Sequence, residues 1–202
     1  LMTTPALAAA AASVPGVEIT LLGGRGAEGF ARHLPMVRQV IAARVPWVRH
    51  EDGGVSPADD LALVERLRQE NFDAAIVFTV CTQSALPAAL LCRLAGIPLR
   101  LAHVRENPYD LLTDWAPEAD TEVATARHEA RRQLDLVARV GWRVAHERLR
   151  FSLGVEDVAS IDALLRREGP RLGDGPWVMV HVGATAPSRR WPPARVGEAG
   201  AA

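Results

Sequence analysis

The chain has 202 residues, 49% of them hydrophobic and 5% aromatic, which is enough to build a sizeable core in one or two domains. Its 23 basic and 24 acidic residues give a formal net charge of -1, which argues against the basic footprint of a nucleic-acid partner. Apart from histidine, every basic residue is an arginine, so any phosphate contact has to come from arginine, histidine, hydroxyls or backbone N–H groups.

Thr3, Thr4 and Pro5 lead into the alanine run Ala6 to Ala12, whose composition predicts a helix ending at Val14-Pro15-Gly16. This apolar stretch is far short of the roughly 20 residues that cross a bilayer, and no basic segment precedes it as in a signal peptide. Val17 to Leu22 reads as a buried strand closed by Gly23-Gly24. A short helix from Ala27 to His33 and a weaker strand from Val37 to Ile41 follow, then a loop from Arg44 to Val55. Ser56 supplies an N-cap and Pro57 the first helical position, with Asp59 and Asp60 near the positive end of the helix dipole. Leu61, Val64 and Leu67 repeat at helical spacing, which carries this helix to Glu70. Asp73 to Thr79 is the clearest buried strand. Ser84 to Ala95 is an apolar helix ended by Gly96-Ile97-Pro98, and Leu99 to Ala102 is a short strand. This alternation predicts an α/β protein with a parallel, doubly wound sheet and right-handed crossovers. Cys81 and Cys92 lack metal-site spacing and read as small core residues of a protein in a reducing cytoplasm.

His103, Arg105, Glu106 and Asn107 form a polar group at the edge where a ligand could sit, and they read as a structural loop; Asp110 and Asp114 read as caps or solvated charges. Thr125 to Val140 is a charged amphipathic helix with Ala130, Leu134, Val137 and Ala138 on one face and Gly141 at its end. Arg131, Arg132, Arg139 and Arg143 are assigned to its solvated face, with contact to a membrane or to a phosphate of a bound substrate as the minor alternative. His128, Glu129 and His146 lack the partners of a metal site, and no metal or cofactor is expected. Phe151 to Gly175 holds a short helix from Ser160 to Arg167 and has the Gly/Pro composition of a connector, and Trp177 to His181 opens a new strand. The predicted organisation is an N-terminal domain over residues 1–150, a linker over 151–174 and the start of a second domain over 175–202.

The most informative stretch is the one that follows this last strand, from His181 through Gly183, Ala184, Thr185, Ser188, Arg189 and Arg190 to Trp191-Pro192-Pro193, which starts a helix. A small-residue loop with hydroxyls and arginines, leaving the carboxyl edge of a sheet, can present N–H groups and a guanidinium to a phosphate chain. An ordinary strand–helix loop with solvated arginines fits the composition equally well. The pattern His181-x-Gly183-Ala184 followed by Arg189-x-Trp191-Pro192 resembles the heptosyltransferases of glycosyltransferase family nine. Supporting matches are Leu1 to Leu7, Asp73 to Ile76, Leu90 to Pro98 with Arg100, and His128-Glu129 to Leu136.

That resemblance implies a GT-B-type fold, in which an acceptor-side Rossmann-like domain faces a second domain that binds a nucleotide sugar. It implies inverting, metal-independent transfer from a nucleotide-sugar donor, with ADP-heptose as the specific candidate, to a surface glycan or lipid-linked acceptor. The donor diphosphate would be met by Gly183, Thr185, Ser188 and Arg189, where Arg189 replaces the family's usual lysine. The catalytic aspartate would lie just upstream of Leu1, so none of the residues present is assigned as catalytic. Both ends read as those of a fragment that would be inactive by itself. The location implied is cytoplasmic, with peripheral association at the inner face of the plasma membrane. The alternative of a different class is a noncatalytic nucleotide- or sugar-binding module, or a gene remnant, of the same fold.

Overall fold

A computed structural model describes residues 1–48, 50, 53–80, 82–118, 127–172, 179–184 and 187–200. The chain divides into two compact units, Leu1–Leu153 and Gly154–Ala202.

The first unit opens with helix α1 (Thr4–Ser13), strand β1 (Ile19–Gly23), the short helix α2 (Ala27–Ala31) and strand β2 (Val37–Ala42). β1 and β2 pair in parallel, and α2 packs so closely on the end of β1 that a Cβ on Gly23 would meet Ala27 Cβ at 2.7 Å. Helix α3 (Pro57–Gln69) starts on a complete capping box. The Asp59 amide donates to Ser56 Oγ (3.2 Å) and the Ser56 amide donates to Asp59 Oδ2 (3.1 Å), so two otherwise orphaned donors are satisfied. Strand β3 (Ala74–Val77), helix α4 (Leu86–Leu94) and strand β4 (Leu99–Val104) form a βαβ unit, and strand β5 (Asp114–Pro117) pairs with β4. All pairings in the β3-β4-β5 sheet are parallel.

The connection from β4 to β5 is short for a parallel crossover, which usually takes about a dozen residues or more. Arg100, itself buried, makes it possible. Its guanidinium donates to the carbonyls of Leu111 (2.8 Å), Pro98 (3.1 Å), Asp110 (3.2 Å) and Ile97, which pins the 3-10 turn Tyr109–Leu111 under the sheet.

Two helical layers cover this sheet. On one face Ala85 and Ala89, at the start of α4, pack with Val77, Ala102, Val104 and Leu112. On the other, α1 lies against helix α5 (Glu129–Ala138) through Ala6, Ala9, Leu134 and Val137, and Leu136 meets Leu101 and Ala116. The alanines of α1 have little side chain, so the two helices can approach closely. A third cluster joins Ile41 with Leu63, Val64 and Leu67 of α3 and with Leu91 and Cys92 of α4. Burial pushes the Cys92 thiol up to about 11, so it stays protonated as a core residue; Cys81 lies outside the described residues. The unit closes where the Arg150 amide donates to Thr4 Oγ1 (2.9 Å), the Ser152 amide donates to the His33 carbonyl (2.9 Å) and Phe151 stacks on the His33 ring.

The second unit contains helix α6 (Val155–Leu172), the 3-10 turn Pro187–Arg189 and helix α7 (Pro193–Gly200). α6 begins earlier than the sequence pattern indicates because Asp157 Oδ2 accepts from the Gly154 amide (2.9 Å) and caps it. The strand expected over Trp177 to His181 lies partly outside the described residues. From Met179 to Ala184 the chain is irregular, with Met179 82% and Val180 58% exposed. A parallel strand needs a neighbour to take its hydrogen bonds, and none of the described residues supplies one. Among the described residues no helix is long and apolar enough to cross a membrane.

Candidate functional site

Of the four residues predicted to meet a donor diphosphate, Gly183, Ser188 and Arg189 are described and Thr185 lies outside the described residues. The loop doubles back on itself. Arg190 donates from Nε to the Ala184 carbonyl (2.6 Å), which brings the end of the 3-10 turn against the residue after Gly183. Gly183 lies beside the His181 ring, where an added Cβ would stand 3.2 Å from Cε1, so any side chain there would crowd the ring. Ser188 and Arg189 are exposed on the turn, and Arg189 has no hydrogen-bond or ion-pair partner among the described residues. Helix α7 follows at once, with the Arg195 and Val196 amides donating to the Pro192 carbonyl (3.0 and 3.2 Å). Arg190 is thus spent on shaping the loop, while Arg189, just before it, presents its guanidinium to solvent ahead of a helix start.

The first unit holds a second polar constellation, at the carboxyl ends of three adjacent parallel strands. Thr79 follows β3, His103 lies within β4 and Glu118 follows β5. Helix α5 delivers Arg132 and Gln133 to the same edge, both buried. The Arg132 guanidinium grips Glu118 as a fork, Nε to Oε1 at 2.6 Å and Nη2 to Oε2 at 2.8 Å, and it also donates to Glu129 Oε1 (2.8 Å) and the Thr79 carbonyl. Gln133 donates to the same Thr79 carbonyl (2.9 Å).

Burial favours the neutral form of the Glu118 carboxyl, but the hydrogen bonds from Arg132 and the surrounding positive charges outweigh it and hold the group below the usual carboxylate value. Burial likewise disfavours the Arg132 cation, and its carboxylate partners outweigh that, raising its affinity for the proton. His103 goes the other way, because burial holds its imidazole below the ordinary value against the hydrogen bond to Arg132 and the charge of Glu118.

This geometry corrects the placement of Arg132 on a solvated face. On α5, Arg132 lies four residues before Leu136 and Gln133 four before Val137, and both of those apolar residues are fully buried. The remaining arginines are tied down at the surface. Arg131 pairs with Asp135 (3.0 Å), Arg139 reaches the Trp115 carbonyl (3.5 Å), and Arg143 donates to the carbonyls of Ala138 (3.0 Å) and Trp142 (2.9 Å). His128 caps α5, its Nδ1 accepting from the Ala130 amide (3.2 Å). Asp110 sits in the 3-10 turn, and Asp114 begins β5 rather than a helical turn. Glu118 was not singled out by sequence reasoning. It follows a proline, and its partner Arg132 lies 14 residues further on, outside any local motif.

Parallel strands with helices on both faces, and polar groups gathered at their carboxyl ends, make this an α/β fold, and its likeness to the following solved structures gives it the GT-B type. Over 98% of its length the chain is similar to the crystal structure of a glycosyl transferase family 9 protein from Veillonella parvula DSM 2008, with a TM-score of 0.70 and 15% identity, covering 53% of that chain. It is also similar, over 81% of its length, to the structure of E. coli ADP-heptose lps heptosyltransferase II, with a TM-score of 0.58 and 18% identity, covering 46% of that protein. The chain therefore spans about half the length of these solved structures, and at such identities the likeness is one of fold. No protein-family profile and no curated protein sequence matches the chain.

Proposed function

We propose that this chain belongs to a glycosyltransferase that moves a sugar from a nucleotide-sugar donor to a hydroxyl of a glycan or lipid-linked acceptor, with ADP-heptose as the specific donor candidate. In this reading residues 1–150 form the acceptor side and residues 175–202 begin the donor side, joined through 151–174. The observation that carries it is the fold likeness over nearly the whole chain to structures such as the two described above, both of them glycosyltransferases.

In this reading the bond between the anomeric carbon and the diphosphate breaks as the acceptor hydroxyl attacks from the opposite face and gives its proton to a general base. The diphosphate then gains negative charge. Donors held in advance where that charge develops lower the barrier. The loop offers them in kind: bare backbone at Gly183, hydroxyls at Thr185 and Ser188, and the solvent-facing guanidinium of Arg189, shaped by the closure from Arg190 to Ala184. The reaction in this reading takes place in the cytoplasm.

The test is calorimetric titration with ADP and UDP. A charge-assisted contact to phosphate contributes on the order of 1.5–3 kcal/mol, so Arg189→Ala should weaken binding roughly ten- to hundredfold. Arg195→Ala, at an exposed position on α7, should leave it within about twofold. Equal effects from the two substitutions would overturn the assignment of the loop and leave it an ordinary strand–helix connection.

A further inference from the structure

The polar edge of the first unit carries an imbalance between donors and acceptors. His103 Nε2 lies 2.9 Å from the Arg132 carbonyl. A carbonyl only accepts, so the ring carries its proton on Nε2 and turns a lone pair outward at Nδ1. That atom is buried and has no hydrogen-bond partner among the described residues. The nearby Glu118 Oε1, at 3.7 Å, is itself an acceptor.

The same two residues line a cavity of about 30 Å³ together with Gln83, Ser84, Arg105 and Glu106, and such a volume suits one hydroxyl group or one water. Both acceptors are fixed by a single residue, since Arg132 holds Glu118 with its guanidinium and His103 with its carbonyl. The gap between them is therefore set by β4, the end of β5 and α5, not by a mobile loop.

We propose that this cavity is a subsite that reads one hydroxyl of a sugar acceptor, the hydroxyl donating its hydrogen to His103 Nδ1 beside Glu118. The inference rests on the glycosyltransferase reading for the class of molecule, and on this chain's own geometry for the hydroxyl. A phosphate group would find the Arg105 cation on this wall but would also bring acceptors against Nδ1 and the carboxylates of Glu106 and Glu118, whereas a neutral hydroxyl supplies the hydrogen that Nδ1 lacks. Ser84 adds little competition, because its hydroxyl is already engaged with Glu106 Oε1 (3.1 Å). The position at the carboxyl ends of β4 and β5 is where open parallel sheets receive ligands. Arg132 acts here as a positioning residue.

The experiment is nitrogen-15 NMR of the imidazoles in the 202-residue chain, titrated with methyl α-D-mannopyranoside as a neutral, hydroxyl-rich probe and with inorganic phosphate as the counter-probe. The pyranoside should shift the His103 Nδ1 resonance and phosphate should not. His103→Gln keeps an N–H for the Arg132 carbonyl but removes the Nδ1 acceptor, and it should weaken pyranoside binding about tenfold while leaving ADP binding unchanged. If that variant does not fold, the wild-type Nδ1 resonance still decides.

An Nδ1 resonance unmoved by the pyranoside, one moved equally by phosphate, or unchanged pyranoside binding in His103→Gln would overturn the proposal and leave the cavity as a site for a structural water. ADP binding is read separately at the Gly183 and Ser188 amides. A donor loop that fails to bind ADP while the pyranoside still shifts Nδ1 would refute the donor assignment and support the hydroxyl subsite.

Discussion

The two units treat similar sequence in opposite ways. Ala74-Ala75-Ile76-Val77 in the first unit and Met179-Val180-His181-Val182 in the second are both short apolar runs leading into polar, small-residue segments. The first becomes β3, paired with β4 and covered by α4 on one face and by α1 and α5 on the other. The second is irregular and exposed. An apolar run is thus a request for neighbours, and the local sequence alone does not grant it. The polar groups follow the same division. In the first unit they are locked in a buried network around Arg132, whereas in the second Arg189 and Ser188 stand open to solvent with only the Arg190 closure behind them.

Core truncation breaks the comparison most sharply. Leu136, fully buried against Leu101 and Ala116 of the sheet, should cost about 2–5 kcal/mol when replaced by alanine, read as a lower midpoint in urea denaturation of the first unit. Val180→Ala, at a side chain 58% exposed, should change stability by no more than about 0.5 kcal/mol. A cost for Val180→Ala comparable to that of Leu136→Ala would mean that the 179–184 segment is part of a packed core.

A smaller effect should appear with pH. His103 is held below its ordinary 6.5 by burial, so on acidification the unfolded chain takes up a proton there that the folded chain resists. Stability should therefore be unaffected by this group above 6.5 and should fall as the pH drops below it. Glu118, held below its ordinary 4.5, contributes stability that is present above that value and is lost as the pH falls through its lower folded value. The groups facing His103 are Glu118, Arg132 and Arg127, and the two arginines stay charged throughout. His103→Gln should flatten the first window and narrow the second, which then rests on the hydrogen bonds and charge of Arg132; an unchanged profile would show that the imidazole is already solvated.

Much of the first unit was legible because its signals are local. Ser56, Pro57 and Asp59 announce the start of α3, the alanine run announces α1, and the β3–α4–β4 unit follows from alternation and from Gly96. β5 was not legible. Asp114-Trp115-Ala116-Pro117 has no strand pattern of its own and is a strand only because Arg100 pins the preceding turn and aligns it on β4. Arg132 was misplaced because its charge was weighed above its position, although the buried Leu136 four residues later marks the face on which it lies. Its partners Thr79, His103 and Glu118 come from three strands that are distant in sequence, and no spacing rule brings them together. The 181–192 loop was legible as a pattern, and its closure by Arg190 rather than Arg189 emerged only in three dimensions.

The most direct test of the central claim, that the 181–192 loop receives a nucleotide diphosphate, is amide hydrogen exchange followed by mass spectrometry with and without ADP or UDP. Backbone donors that turn toward phosphate oxygens exchange more slowly when the ligand is bound. Protection confined to peptides covering residues 181–190, with α3 unchanged, is the predicted result. No protection there, or protection limited to residues 79–84 and 103–106 of the first unit, would contradict it.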